Sequence, residues 1–238
     1  MFEFHENWKN PKTGRYKKHI YTLNGKPLMG ITSVLSVIAK PALIGWAARK
    51  AVEYIQDHFQ GELTEELLEE AKCAHSDIAG EAAERGTVIH KGIETYINDC
   101  INMTLGEAMN VKVVEDSCVQ KFIDWAVSNK IKFIESEKKM YSKKLWLAGT
   151  CDIIFEKDGK RYIGDVKTYA KIWDRVPFAQ MAGYALMLEE MGQKIDGGCI
   201  ININKETNEL TEKWSYVPEE DKKFFLAALT IYNSKDFN

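Results

Sequence analysis

Three consecutive strand-like segments constrain the fold of this 238-residue chain more than any other feature. They are IKFIESEKKMYS at 131–142, LWLAGTCDIIFE at 145–156 and RYIGDVKTY at 161–169. The tetrapeptide KDGK separates the last two, and an Asp-Gly pair between apolar runs predicts a tight hairpin. A helix containing Pro177 and a strand at 197–205 follow, so the sequence predicts a mixed β-sheet flanked by helices.

The residues before this core are predicted to be largely helical. The turn signal LNGKP indicates a β-hairpin within 16–31. Helices are expected at about 31–40, 43–59, 61–75, 77–100 and 112–129, the fourth of them interrupted at Gly86 and Gly92. A strand at 210–217 and a helix opened by Pro218 close the pattern. The predicted class is therefore α/β, with a hairpin and helical region over 1–130 packed on a core over 131–238 as one compact unit.

Composition excludes several classes of protein. No apolar run approaches the ~18 residues that a membrane span needs, and the amino-terminal residues resemble no targeting signal. The five cysteines are odd in number and widely spaced, and no CxxC occurs. That spacing argues against a disulfide scaffold, a zinc site or an iron–sulfur cluster. We therefore expect a cytoplasmic protein that makes no membrane contact.

Charge is unevenly distributed along the chain, although the net charge is only −3. Residues 1–50 carry a net charge of +7 and residues 117–175 carry +5, whereas residues 51–116 carry −11 and residues 176–238 carry −4. Two basic segments are compatible with a groove for a polyanion such as DNA. Ordinary solvated faces would give the same pattern, so charge alone leaves both interpretations open.

Acidic residues lie inside the apolar strand segments. Asp165 and Lys167 are two residues apart and so project from the same face of a strand. The KDGK hairpin places Asp152 opposite or diagonal to Asp165. Adjacent carboxylates repel each other unless a cation lies between them, and oxygen ligands beside a lysine suit Mg²⁺ or Mn²⁺ acting on a phosphate. Glu135, on the preceding strand, is placed to hydrogen-bond a metal-bound water. A structural cluster of ion pairs at a sheet end is the alternative.

Two polar pairs lie on predicted helices. His90 and Glu94 are four residues apart and share a helix face, and Gly86 precedes His90 by one turn. Gln180 and Tyr184 are also four apart, on an otherwise apolar helix, where they need polar partners if they are buried. A lone helical histidine is more often an ordinary surface or core residue than a ligand, so each pair alone is a weak signal.

Together these residues resemble the motif set of RecB-like nucleases of the PD-(D/E)XK superfamily, and most closely the group that contains the mitochondrial genome maintenance exonuclease and phage relatives. The family motifs run Gly-x-x-x-His, Gly-x-x-Asp, Asp-x-Lys and Gln-x-x-x-Tyr. This chain has Gly86–His90, Gly149–Asp152, Asp165–Lys167 and Gln180–Tyr184, in the same order. Each motif is common on its own, whereas four in order are specific.

The resemblance implies a restriction-endonuclease-like core and a defined set of site residues. The implied metal, Mg²⁺ or Mn²⁺, is held by His90, Asp152, Asp165 and the Val166 carbonyl. Lys167 is then catalytic, and Gln180 and Tyr184 complete the catalytic set. Several relatives also carry a four-cysteine iron–sulfur cluster, but the cysteines here do not fit that pattern, so no iron–sulfur cluster is expected.

The expected function is that of a metal-dependent exonuclease that hydrolyses phosphodiester bonds from DNA ends, on single-stranded DNA, with recombination or replication proteins as candidate partners. Nothing in the sequence suggests a symmetric dimer or a sequence-reading element, and a helical first half suits a cover over the cleft. The expected DNA contacts are Arg85, Lys143, Lys144, Trp146, Thr168, Tyr169 and Lys171, with Trp173 as a further aromatic candidate. The alternatives are a structure-specific endonuclease, an end-trimming nuclease of the Cas4 type, or a DNA-binding module on a decayed nuclease fold.

Overall fold

The computed structural model describes residues 1–9, 16–102, 116–169, 175–215 and 218–234. They divide into two compact units. The first contains 1–38 and 91–238, and the second contains 39–90. The predicted sites Lys171 and Trp173 lie outside the described residues.

Along the described chain, four strands are followed by four helices, then by three strands, a helix, two strands and a final helix. The strands are β1 Phe2–Lys9, β2 Tyr16–Leu23, β3 Lys26–Pro27, β4 Met29–Gly30, β5 Lys132–Ser142, β6 Leu147–Lys157, β7 Lys160–Lys167, β8 Gly197–Ile203 and β9 Leu210–Ser215. The helices are α1 Ile31–Leu35, α2 Pro41–His58, α3 Glu65–Asn102, α4 Ser117–Ser128, α5 Val176–Glu190 and α6 Pro218–Asn233.

The first unit is built on a mixed sheet. Among the described residues it has six strands in the order β4-β6-β7-β8-β9, and β5 also pairs with β6. The β5–β6, β6–β7 and β8–β9 pairs are antiparallel, whereas β7–β8 and β4–β6 are parallel. The predicted mixed α/β class with a helical N-terminal half is confirmed. The predicted order of helix, three strands, helix, two strands and helix is confirmed as well.

One edge of β6 has a gap that positions the site. Strand β5 follows β6 along its length, from Lys132↔Glu156 to Ser142↔Leu147. Because a strand has only two hydrogen-bonding edges, β4 and β7 must share the other one. On that edge β4 pairs with residues 147–148, and β7 pairs with residues 153–157. Residues 149–152 therefore lie where β7 departs from β6.

Helices pack on this sheet through one core. Strand β8 is buried throughout, and α5 is apolar on nearly all sides, which is why neither shows a simple alternating or amphipathic pattern. The core joins α1, α5 and α6 to the sheet through side chains that include Ile31, Leu147, Ile163, Met187 and Phe225. None of the helices in the described residues combines the length and apolarity of a bilayer span.

The helical region differs from the sequence prediction at two places. Segments 61–75 and 77–100 form one continuous helix, α3, so the predicted interruption at Gly86 and Gly92 is wrong. A helical glycine costs only about 1 kcal/mol relative to alanine, and Gly92 has a packing reason, since a Cβ there would lie 2.7 Å from Val119 Cγ2. Strand β1 was not predicted, and it pairs with β2 in a separate sheet with β3.

Helix ends follow local capping chemistry. Helix α3 begins at Glu65, and the hydroxyl of the preceding Thr64 accepts a hydrogen bond from the Leu67 N–H at 3.2 Å. Helix α4 begins at Ser117, where the Asp116 carboxylate accepts from the N–H groups of Cys118 and Val119. The predicted start of that helix, at 112–115, lies outside the described residues.

The boundaries of the two compact units lie at residues 38/39 and 90/91, not at the predicted division between 130 and 131. Residues 1–38 belong with the sheet because β4 pairs with β6 and α1 packs against α5 and α6 in the core. The second unit contains α2 and the first part of α3. Within it, Trp46 contacts His75 edge-to-face and the Tyr54 hydroxyl donates to Glu70 at 3.0 Å.

Candidate active site

The predicted acidic pair lies at the gap beside β6. The paired register of β6 and β7 ends at Ile153↔Gly164, and one further step places Asp152 opposite Asp165. At this step a side chain replaces the main-chain acceptor. Oδ2 of Asp152 accepts a hydrogen bond from the Val166 N–H at 3.0 Å. The predicted juxtaposition of the two carboxylates is therefore present.

Lys167 pairs with the deeper carboxylate. Its Nζ lies 2.6 Å from Oδ2 of Asp165 and donates to Oδ1 at 2.8 Å. Asp165 is 1% exposed, and the Lys167 side chain is 15% exposed. Burial acts to lower the pKa of Lys167, but Asp165 and Asp152 outweigh it, so the pKa is raised and the lysine stays charged.

Burial dominates the electrostatics of the other carboxylate. It raises the pKa of Asp152, against the opposing effects of Lys167 and the Val166 N–H. Asp152 and Asp165 are thus neighbouring carboxylates, and Lys167 acts electrostatically on both. Neighbouring carboxylates repel each other, and a bound cation relieves that repulsion.

A third carboxylate, Glu137, faces Asp152. The β5–β6 register passes from Ser136↔Ile153 to Lys138↔Cys151, and Glu137 and Asp152 occupy the step between these pairs. The backbone of Glu137 has φ 48°, a left-handed conformation that is strained for a non-glycine residue. Burial of its carboxyl end, with Asp152 and Glu94 nearby, raises the pKa of Glu137 to about 7, although the residue as a whole is exposed.

Glu137, and not the predicted Glu135, therefore stands beside the acidic pair. Glu135 pairs in register with Ile154 and forms an ion pair with Lys138. The register shifts by one residue between Phe133 and Glu135. Continued from Phe133↔Phe155 without that shift, it would place Ser136 opposite Asp152, so the irregularity brings Glu137 there. The sequence offered one signal, a second glutamate two positions along the same strand, but periodicity cannot locate a bulge.

The glutamine–tyrosine pair faces the carboxylates from α5. Gln180 Nε2 donates to the Tyr184 hydroxyl at 3.1 Å. The pKa of Tyr184 is raised well above its usual value by burial, with Asp152 and Asp165 adding to the effect. A Cβ on Gly149 would lie 2.7 Å from Cε1 of Tyr184, so the glycine of one motif makes room for the tyrosine of another. The predicted motifs on β6, β7 and α5 thus meet.

The predicted histidine lies on α3. His90 is half-buried and is the last residue of the second unit. Arg85 is also half-buried and lies on the same helix. Glu94, one turn after His90, belongs to the first unit, pairs with Lys91 at 2.9 Å and contributes to the raised pKa of Glu137. The role of His90 as a metal ligand stays a prediction.

The predicted DNA contacts fall into two groups. Thr168 and Tyr169 directly follow Lys167, the first buried and the second exposed. Lys143 and Lys144 are exposed on the β5–β6 turn, where their N–H groups donate to Glu190. Since β6 starts at Leu147, five residues before Asp152, this turn is roughly 17 Å from the carboxylates along the strand.

Trp146 is held by the small sheet rather than presented for stacking. Its indole N–H donates to the Pro27 carbonyl at 2.9 Å, and its ring packs on the cluster of Leu23, Leu28 and Ala148. The indole is therefore already engaged in joining the hairpin to β6.

The residues at the gap suit a hard divalent cation in donor type. Across the described ranges, no three His, Cys, Asp or Glu side chains converge as a ready-made metal-binding group. By register, Asp152 nevertheless lies opposite Asp165 on one neighbouring strand and opposite Glu137 on the other, and it accepts from the Val166 N–H. Oxygen donors of this kind match Mg²⁺ and Mn²⁺. Carboxylates that neighbour one another across three strands are the observation that fits a cation.

Comparisons with known proteins add little. No protein-family model matches the chain, and no curated protein matches it. Among solved structures, it is similar to one described as the crystal structure of SSO0001. The match has 12% identity and a TM-score of 0.38, and it covers 85% of this chain and 75% of the other. A likeness this distant carries no argument about function.

Proposed function

We propose that this protein is a metal-dependent deoxyribonuclease that hydrolyses phosphodiester bonds from DNA ends. One observation carries the proposal: a buried lysine is paired with one of two opposed carboxylates where two strands separate. A purely structural ion pair needs one carboxylate for one lysine, whereas here Asp152 and Glu137 lie beside the pair and burial raises the pKa of both.

Each residue has a specific part in this reaction. Asp152, Asp165 and the Val166 carbonyl would hold the cation, with His90 as the further ligand that the family resemblance implies. A bound Mg²⁺ or Mn²⁺ polarises the phosphodiester and lowers the pKa of a bound water. Lys167 Nζ donates hydrogen bonds and positive charge toward the phosphoryl oxygens, where negative charge grows in the transition state. Tyr184, held by Gln180, limits the approach of water from the α5 side.

The proposed preference for ends rests on the sequence and on the residues beside Lys167. Nothing in the sequence suggests a symmetric dimer or a sequence-reading element. The exposed ring beside Lys167 suits stacking against an unpaired base, which does not depend on sequence. We therefore propose single-stranded ends as the substrate.

The test uses end-labelled linear single strands and closed circular single strands with Mg²⁺ or Mn²⁺. Degradation of the linear strand alone, abolished in Lys167→Ala, supports the proposal. Rapid cutting of circles would replace the exonuclease by an endonuclease and keep the metal site. Binding without metal-dependent cleavage of either substrate would support a decayed DNA-binding module and refute the enzyme.

A further inference from the structure

Asn202 is an amide inside an otherwise apolar strand. Strand β8 is GGCIINI, every residue of it is buried, and Asn202 is 3% exposed. Burying an amide costs free energy unless both its donor and its acceptor are used. A buried asparagine between isoleucines therefore calls for partners.

Both polar atoms of Asn202 bind the main chain of one residue. Its Oδ1 accepts from the Tyr169 N–H at 3.1 Å, and its Nδ2 donates to the Tyr169 carbonyl at 3.0 Å. Strand β7 ends at Lys167, whose register partner on β8 is Asn202 itself. Tyr169 lies two positions beyond the end of β7, and the Asn202 side-chain amide makes with it the two hydrogen bonds that a neighbouring strand would otherwise make.

The clamped residue lies next to the reactive lysine and faces solvent. Tyr169 is 52% exposed, although its main chain is held as firmly as a strand residue. Its ring is carried two positions beyond Lys167, the last residue of β7. Thr168, between them, is buried and connects the two.

We infer that Asn202 is a positioning residue, which fixes Tyr169 so that its exposed ring contacts the nucleotide next to the phosphate at Lys167. The inference rests on the proposed nuclease function and deepens it by naming how an unpaired base is held. A flexible loop tyrosine would have to be ordered on binding, whereas a clamped ring is ordered beforehand. The ligand is a nucleobase, because an exposed aromatic ring stacks on any base.

The test separates substrate binding from turnover. We would measure kcat and KM on a single-stranded oligonucleotide with Mn²⁺ for wild type, Tyr169→Ala, Tyr169→Phe, Asn202→Leu and the double variant Asn202→Leu/Tyr169→Ala. Asn204→Leu is the matched control, since the Asn204 side-chain oxygen accepts from N–H groups of its own turn, at Glu206 and Thr207. Melting temperature is recorded for every variant.

We expect Tyr169→Ala to raise KM about 5- to 150-fold, the loss of one stacked base, and Tyr169→Phe to stay near wild type. Asn202→Leu should raise KM comparably, and the double variant should be no worse than the more affected single one. The kcat values should change far less, and Asn204→Leu should change neither constant.

Additive effects of Asn202→Leu and Tyr169→Ala would overturn the inference, because a purely structural asparagine acts independently of the ring. An unchanged KM in Tyr169→Ala would overturn it too, even if Asn202→Leu fails to fold. Both results leave a wild-type enzyme that cuts DNA, so they are distinct from failure of the proposed function. A wild-type protein that neither cuts nor binds the oligonucleotide would refute both.

Discussion

Within the candidate site, the ion pair between Lys167 and Asp165 is the interaction whose loss should lower the free energy of unfolding most. Lys167 and Asp165 are both largely enclosed, and neither can lose its partner without leaving a buried charge. The pair is therefore expensive to break from either side, whatever its catalytic value. Its position next to Asp152 means that one substitution tests stability and function together.

Replacing Lys167 by Met should abolish cleavage and lower the free energy of unfolding by about 3–5 kcal/mol, because Asp165 is left buried without its cation. Urea denaturation and the cleavage assay measure the two effects. Lys138→Met is the matched control. Lys138 has a similarly enclosed side chain, 13% exposed, and pairs with the more exposed Glu135 on β5. The control should retain cleavage. A fully active Lys167→Met variant would refute the site.

Glu137 should make the protein less stable as pH rises from about 4.5 to about 7. Its folded pKa, about 7, lies above the ordinary glutamate value of 4.5. The folded state therefore holds this proton more tightly, and the advantage is lost as pH passes through the folded pKa. Glu137→Gln removes the effect, so its melting temperature should rise relative to wild type over that window.

The measurement is the difference in melting temperature between Glu137→Gln and wild type at intervals from pH 4 to pH 8, without divalent metal. The difference should be small at the acidic end and larger near pH 8. Ser136→Ala, at the adjacent position, changes no titratable group and should give a constant difference. A Glu137→Gln difference that shrinks with pH would show that the carboxylate is stabilised in the folded protein.

At the scale of elements, α5 is held against the sheet by close approaches at glycine. Gly183 admits Ile31 and Phe225, and Gly149 admits the ring of Tyr184. These contacts join α5 to α1, α6 and β6, so the tyrosine that faces the carboxylates is placed by packing rather than by a loop. The position of Tyr184 therefore depends on having glycine, which carries no β-carbon, at both 149 and 183.

Gly149→Ala should lower the free energy of unfolding by about 1–3 kcal/mol, because its Cβ would lie 2.7 Å from the Tyr184 ring and 3.2 Å from Ile31 Cγ1. Activity should fall as well, since the ring must shift. Gly80→Ala is the control, in a helix where a Cβ meets nothing within 4 Å. It should stabilise the protein by roughly 0.5–1 kcal/mol. Equal effects of the two substitutions would contradict this account.

The sequence predicts the sheet well and the helices less well, for physical reasons. Turn chemistry at KDGK and LNGKP is local, so the strands on either side could be placed to within a few residues. Continuity of α3 depends on tertiary packing at Gly92, which no local propensity reveals. The pairing of Asp152 with Asp165 could be predicted because it needs only a simple hairpin register. The position of Glu137 could not be predicted, because it depends on a register shift. The role of Asn202 could not be predicted either, because its hydrogen-bond partner is the main chain of another residue.

At the scale of the molecule, charge should govern binding of DNA. If about five phosphates are contacted, the logarithm of affinity should fall with the logarithm of salt concentration at a slope of roughly −3.5 for single strands. Lys143→Ala and Lys144→Ala should each make that slope shallower by somewhat under one unit. Fluorescence anisotropy of a labelled oligonucleotide between 50 and 200 mM salt, as approximate limits, measures it.

Length dependence sharpens the same experiment. The turn with Lys143 is roughly 17 Å from the carboxylates along β6, or about five nucleotides at ~3.4 Å each. Lys143→Ala should therefore weaken binding of a ten-nucleotide strand and leave a trinucleotide unaffected. Lys72→Ala, an exposed lysine paired with Glu69 on α3, is the control. A trinucleotide as sensitive as the longer strand would place the lysine elsewhere on the DNA path.

The pairing of β4 with β6 has a consequence for synthesis of the chain. Residue 147 follows residue 29 by 118 positions, which a ribosome needs roughly 6–24 s to add at about 5–20 residues per second. Throughout that interval the emerging hairpin has no sheet to join, and the apolar side of α1 has no core to enter. A translation product that stops before residue 147 therefore keeps an open strand edge and an uncovered helix, the features by which chaperones and proteases recognise unfinished chains.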